Sequence, residues 1–284
     1  MKVSVVCAWF NRSVCLRDTI DSLLAQKFDD YEIIIINDGS TDKNVKIILD
    51  QYNDDRLRIY HQSNQGLVST LIRGTGLAEG KYIAIQGAGD ISAPERLLEQ
   101  YSYLEANTGV AAVGTGYYTR ADGAVDGHYV EPEALVDQDT LIKNVPSTHG
   151  TIMYRKSALF DVGGYDSRFK YCSDWNLYFR LIKKYSIESI NKPLYTKIEF
   201  DDGFSFDPDK KFTQYEFSKK ARGLHGKESG LRKSRLLTYL LLTIKMVYLS
   251  FISRRYKRAG KWLLQIPGIL TGKLQRKVDE STFW

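Results

Sequence analysis

The chain has too few cysteines for a disulfide framework: Cys7, Cys15 and Cys172 are odd in number and share no metal-ligand spacing. Reduced, partly buried thiols are the expectation. Collagen-like, coiled-coil and low-complexity bias are all absent, which sets aside fibrous and disordered classes. The opening Met1-Lys2-Val3-Ser4-Val5-Val6-Cys7 lacks the pattern of a cleavable export signal, so the amino-terminal part is expected to stay in the cytosol. Ala8–Val14, directly after the first apolar run, contains no glycine. A dinucleotide-binding dehydrogenase would need a glycine-rich turn there.

Acidic charge is scarce in the last quarter of the chain alone. Residues 210–284 hold 18 Lys+Arg and 4 Asp+Glu, leaving 22 and 30 for residues 1–209, so a net +6 divides into a tail of +14 and a body of −8. A uniformly basic nucleic-acid binder is not built this way, and no nucleic-acid partner is expected. The 284 residues suit one large α/β domain, 1–209, with a smaller appendage, 210–284, and a boundary near 205–212.

What the chain does have is an apolar run that stops at a carboxylate. In Tyr31-Glu32-Ile33-Ile34-Ile35-Ile36-Asn37-Asp38-Gly39-Ser40-Thr41-Asp42 the isoleucines show no alternation, and β-branching favours a strand covered on both faces. Gly39 permits a turn, and Ser40 or Thr41 can cap a helix through Val45, Ile48 and Leu49. Strand patterns at Val3–Ala8, Arg56–His61 and Lys81–Gln86 alternate with helical patterns at Val14–Gln26, Gly66–Leu77 and a helix opened by Pro94. That rhythm predicts a doubly wound, mainly parallel sheet flanked by helices. Farther on come a strand at Val110–Tyr117, a hairpin near Ala121–Gly127, helices at Val136–Asn144 and Ser173–Lys184, and strands near Glu188–Ile190 and Leu194–Phe200.

Several strand ends carry chemistry. Phe10 after the first strand and Asp38 after the second pair an aromatic face with a carboxylate, which suits a nucleoside, although Asp38 equally suits a turn. In Gln86-Gly87-Ala88-Gly89-Asp90 the glycines let a ligand approach the backbone, and Asp90 offers hard oxygens to a divalent ion or caps a helix. Asp174 opens a helix, where the dipole alone favours an acid. Tyr165, Phe169, Tyr171 and Trp175 around it would line a sugar-sized cleft.

Together these residues resemble the family 2 glycosyltransferases, whose catalytic domain has the Rossmann-like GT-A fold. The resemblance covers residues 1 to about 205: Val3–Asn11, Asp38–Asp42, Asn64-Gln65-Gly66-Leu67, Gly80-Lys81-Tyr82-Ile83-Ala84, Pro94-Glu95-Arg96-Leu97, Gly163-Gly164-Tyr165-Asp166 and Ser173-Asp174 follow the family order. It implies that Ala8, Phe10, Asp38 and Gly89 bind a UDP- or dTDP-sugar, that Asp90 holds Mg²⁺ or Mn²⁺ with the diphosphate, and that Asp174 is the base of an inverting transfer. His149 and Trp175 would face the acceptor, although His149 equally suits an ordinary hydrogen-bonded histidine. The membrane-attaching tail described below makes a lipid-linked glycan of the cell surface the expected acceptor. Two departures stand out. Gly87 and Gly89 occupy positions where many members have aspartates, and Ser173 replaces a glutamate beside Asp174. No Gln-x-x-Arg-Trp element occurs, which favours single-sugar transfer over processive synthesis. A noncatalytic nucleotide-sugar-binding subunit is the competing expectation.

The tail reads as an address. Leu236–Ile252, broken by Lys245 and followed by Arg254-Arg255-Tyr256-Lys257-Arg258, falls short of the about 20 apolar residues of a spanning helix. It suits an amphipathic helix on the anionic cytoplasmic face of the plasma membrane. The alternative is a helical hairpin packed on the body or against a homodimer partner.

Overall fold

Unalternating apolar runs become the centre of a sheet. The computed structural model describes residues 1–143, 148–200, 213–214, 217–218, 220–221 and 244. By contacts the chain divides into Met1–Ile198 and Glu199–Trp284, and the fold and site below belong to the first unit. The elements are β1 (Val3–Trp9), α1 (Leu16–Leu24), β2 (Tyr31–Asp38), α2 (Lys43–Leu49), β3 (Leu57–Gln62), α3 (Leu67–Leu77), β4 (Tyr82–Gln86), β5 (Ile91–Ser92) and α4 (Arg96–Ala106). There follow β6 (Val110–Ala121), β7 (Gly127–Val130), α5 (Gln138–Lys143), β8 (Met153–Arg155), α6 (Lys156–Asp161), α7 (Ser173–Leu181) and β9 (Ser186–Glu199).

These strands form one mixed sheet in the order β3-β2-β1-β4-β8-β6-β9-β5, with β7 paired to β6. Its first four strands are parallel, as the βα alternation predicts, while β8 joins β4 and β6 antiparallel and β5 joins β9 antiparallel. Register sets Trp9 beside Asn37 and Cys7 beside Gln86, so the carboxyl ends of β2, β1 and β4 lie side by side. Chain order reverses direction at β1, which makes this edge the binding crevice of an open α/β sheet. Every residue of β2 and β4 is buried. Helix α3 packs on β1 and β2, and Gly74 permits the approach because a Cβ there would sit 2.5 Å from Val6 Cγ1.

Inside this apolar layer Glu32 keeps its charge. Burial pushes its carboxyl up, but Ser4 Oγ (2.6 Å), the Glu79 amide (2.8 Å) and Arg58 (2.6 Å) all donate to it, and the net effect holds it below the usual glutamate range. Buried charge is tolerable when its hydrogen bonds are met.

Local expectations changed in four places. Helix α2 is capped by Asp42, whose Oδ1 accepts from the Asn44 amide, since Ser40 and Thr41 are engaged with Asn11. A 3-10 turn at Ser13–Cys15 delays α1 to Leu16. The two strands expected near 188–200 are one, because Pro193 falls at an exposed point where a missing N–H is tolerated. Short β5, β8 and helix α6 carried too little periodicity to be read. All three cysteines are free. The expected membrane helix lies outside the described residues apart from Ile244, and no helix among the described residues is long and apolar enough to cross a membrane.

Candidate active site

The loop after β1 is locked to the loop after β2 through one side chain. Asn11 Oδ1 accepts from the Thr41 amide (2.8 Å), Thr41 Oγ1 (3.2 Å) and the Asp42 amide (3.1 Å), while the Asn11 amide donates to Ser40 Oγ at 2.8 Å. The Ser13 amide donates to Asp42 Oδ2 at 3.1 Å. Between these anchors Asn11 and Arg12 adopt left-handed backbone, φ 57° and 59°. Such strain in a non-glycine residue persists only where its surroundings enforce it. The turn leaves Ala8 partly buried and the Phe10 ring 45% exposed at the crevice edge. An exposed aromatic at this edge offers a stacking face.

Asp38 closes the next strand and is 3% exposed. Its Oδ1 accepts from Gln62 Nε2 (2.7 Å) and the Gln65 amide (2.8 Å), and its Oδ2 from the Gly66 amide (2.9 Å). Asn64 Nδ2 donates to its backbone carbonyl at 2.9 Å. The carboxylate thus fastens the Asn64–Gly66 loop, and the start of α3, to the crevice, with acceptor capacity remaining on Oδ2. Gly39 (φ 67°) is required here, since a Cβ would meet the Asn64 amide nitrogen at 2.4 Å.

At the end of β4 the acidic turn faces inward. Asp90 is 9% exposed; its Oδ2 accepts from the Tyr195 hydroxyl at 2.7 Å and its Oδ1 from the Ile198 amide at 2.8 Å. Burial pushes the carboxyl up, against those two hydrogen bonds and the charges of Lys197 and Arg12. Tyr195 also accepts from the Gly87 amide at 2.9 Å and lies against Arg96, 5.0 Å from ring centre to guanidinium. Arg96 is fully buried, donating to Gln86, Ser92, Gln100 and the Ile85 carbonyl, and burial pushes it down to about 10. Sequence reasoning saw Arg96 only as part of a motif. Its role as the floor of this turn depends on β9, which returns from far along the chain.

Among the described residues this turn does not form a metal cage. Divalent cations need several hard oxygens. Asp90 supplies one carboxylate, each of whose oxygens accepts one hydrogen bond and keeps further acceptor capacity. A Cβ on Gly87 would lie 2.3 Å from Asp90 Oδ2, and Gly89 has φ 93°, so neither neighbour can take an aspartate without rearrangement. No group of three or more His, Cys, Asp or Glu suited to a metal occurs among the described residues.

The other half of the crevice is built from His149, Tyr165 and Asp174. Gly150 abuts the acidic turn: a Cβ there would be 2.2 Å from the Tyr195 hydroxyl and 3.3 Å from the Gly87 nitrogen. Next to it, His149 Nε2 is 2.7 Å from the Tyr165 hydroxyl, with the rings edge to face. Burial pushes the imidazole down and the Asp174 carboxylate opposes it. The same carboxylate adds to the burial that raises Tyr154, Tyr165 and Tyr178 well above the usual phenol range. Asp174 sits in the first turn of α7, partly exposed, its Oδ1 accepting from the Trp175 amide at 2.9 Å. Trp175 spends its indole N–H on the Leu141 carbonyl at 2.8 Å, tying α7 to α5. Tyr154 and Tyr178 carry no sequence signal beyond ordinary core aromatics.

A family model described as "Glycosyl transferase family 2" matches residues 4–169. The chain belongs to glycosyl transferase family 2. Among relatives of this family 2 chain, EpsE of Bacillus subtilis, assigned by name to the glycosyltransferases, is 32% identical over 209 residues, covering 72% of this chain and 75% of EpsE. An uncharacterised glycosyltransferase of Rickettsia typhi is 28% identical over 192 residues, 65% of this chain and 60% of that protein. Family 2 membership is matched by fold. S. aureus TarS 1-349 in complex with UDP-GlcNAc superposes with a TM-score of 0.62 at 16% identity, over 80% of this chain and 68% of that one. The mannosyltransferase PcManGT from Pyrobaculum calidifontis, in complex with GDP-Man and Mn²⁺, gives 0.59 at 13% identity, over 100% and 87%. At these identities the likeness is one of fold, the GT-A arrangement expected of family 2.

Proposed function

We propose that this glycosyltransferase moves a single sugar, with inversion, from a UDP- or dTDP-sugar to a lipid-linked glycan of a cell-surface polysaccharide. The observation that carries the reading is the contact of Gly150 with the Gly87 turn, because it sets His149 and Asp174 against the strand ends that bear Phe10 and Asp38. Phe10 and Ala8 receive the nucleoside beside Asp38, the backbone at Gly89 leaves room for the diphosphate, and Trp175 and His149 face the acceptor. TarS with UDP-GlcNAc and PcManGT with GDP-Man support a nucleotide-sugar donor in this fold. Asp174 takes the proton of the acceptor hydroxyl as its oxygen attacks the anomeric carbon, and the bond to the nucleoside diphosphate breaks on the opposite face. A carboxylate is a weak base toward an alcohol, so holding the two reactants in line carries much of the barrier. His149, whose imidazole burial pushes down, holds its place through Tyr165. The basic tail brings this site to the cytoplasmic membrane face, where a polyprenyl-linked acceptor resides.

A panel of UDP- and dTDP-sugars with lipid extract tests the reading, with nucleoside diphosphate release as the readout. Release from no donor would refute the enzyme. Asp174→Asn should retain donor binding and lose transfer by about a thousandfold or more, within the range for a general base and its hydrogen bonding. Unchanged turnover would remove Asp174 from this role. Deleting residues 231–284 should release the protein from sedimenting membranes, and continued sedimentation would remove the tail from its.

A further inference from the structure

The donor presents an anionic diphosphate to a turn whose one carboxylate is Asp90. Gly87 cannot carry one while Asp90 stays bonded to Tyr195, and the positive φ of Gly89 disfavours any side chain. Asp90 itself holds β9 to the turn. Among the described residues, two cationic side chains act on the Asp90 carboxylate of this turn. Ile91 pairs with Thr196 and Ser92 with Tyr195 in the antiparallel β5–β9 ladder, so continuing the register by one residue sets Lys197 opposite Asp90. The Ile198 amide, one residue on, reaches Asp90 Oδ1 at 2.8 Å, which confirms the alignment. From the other side, the strained loop after β1 presents Arg12, held between the anchored Asn11 and Ser13. The charges of both Lys197 and Arg12 are felt at the Asp90 carboxylate, one from β9 and one from the loop after β1.

We infer that Arg12 and Lys197 take the place of a protein-held divalent ion and bind the diphosphate of the donor directly. This rests on the nucleotide-sugar reading of the crevice. Two side-chain cations match the two negative charges of a nucleoside-diphosphate sugar, and Arg12 has the fork geometry that phosphate oxygens accept. Fixed cations aimed at the leaving group also stabilise the charge that grows as the sugar departs. The left-handed backbone at Arg12 acquires a purpose, since locking the loop holds this residue in place before a ligand arrives.

Titration calorimetry of the full chain with UDP, dTDP and GDP, each in excess EDTA and again in Mn²⁺, tests the inference. At least one nucleotide is expected to bind in EDTA, with an affinity that Mn²⁺ changes by less than about threefold. Arg12→Gln and Lys197→Gln should each weaken that binding by about tenfold, the loss of one charge-assisted contact, while Lys197→Arg keeps it. Thermal melts of the variants matching the parent exclude a folding defect. Binding that disappears in EDTA and returns with Mn²⁺ would overturn the inference and leave the donor reading standing. Binding in EDTA that neither Gln variant weakens would overturn it too. Failure of all three nucleotides in both buffers would remove the donor reading itself.

Discussion

Gly87 and Asp90 compete for the same space. A methyl at Gly87 lands 2.3 Å from Asp90 Oδ2 and 3.0 Å from the Tyr195 hydroxyl, so Gly87→Ala has to break the Asp90–Tyr195 hydrogen bond or push β9 away. We expect a loss of about 2 kcal/mol by urea denaturation, the scale of overpacking a buried site. Gly109→Ala, where an added Cβ meets nothing within 4 Å, should change stability by less than about 0.5 kcal/mol. Asp38 shows the same lesson from the opposite direction. Its position at the end of a buried strand is legible in the sequence, because an apolar run must stop where the chain meets the crevice. Its three internal hydrogen bonds are not, since their donors stand 24 to 28 residues away.

At the scale of elements, periodicity served wherever an element was long and its burial one-sided or complete. Strand β2 is the extreme case, with every residue buried, and Ile34 is 0% exposed. Ile34→Ala should cost about 3 kcal/mol in the same denaturation assay, because the packed helices cannot collapse onto the space. Elements of two or three residues such as β5 and β8 exist because distant strands pair with them, β9 with β5 and both β4 and β6 with β8. No local pattern could announce them. The α2 cap moved from Ser40 or Thr41 to Asp42 for a similar reason, as Asn11 from another loop takes the first two.

At the scale of the molecule, Glu32 joins β1 through Ser4, β3 through Arg58 and the approach to β4 through Glu79. Its folded pKa lies below the ordinary value of 4.5, so its contribution is full above that value and is lost as pH falls through the lower folded one. Glu32→Gln should therefore be less stable than the parent by about 2 kcal/mol near neutrality, and the gap should narrow in acid. Urea midpoints of both proteins at neutral pH and at about pH 3 check the sign, and a constant gap would show that the charge is immaterial.

The sequence by itself determined the parallel half of the sheet, the strand ends at Phe10, Asp38 and Asp90, and the helix start at Asp174. Short-range periodicity and abrupt apolar-to-polar stops encode these. Only the tertiary structure decided what each carboxylate does. Asp38 fastens a loop, Asp90 is turned inward by Tyr195 and Ile198, and Asp174 lies among buried phenols beside His149. The physical reason is that a carboxylate's role is set by the donors and charges that surround it. Here those arrive from β9, from the loop before β8 and from the far side of the crevice, at separations along the chain that no local pattern records.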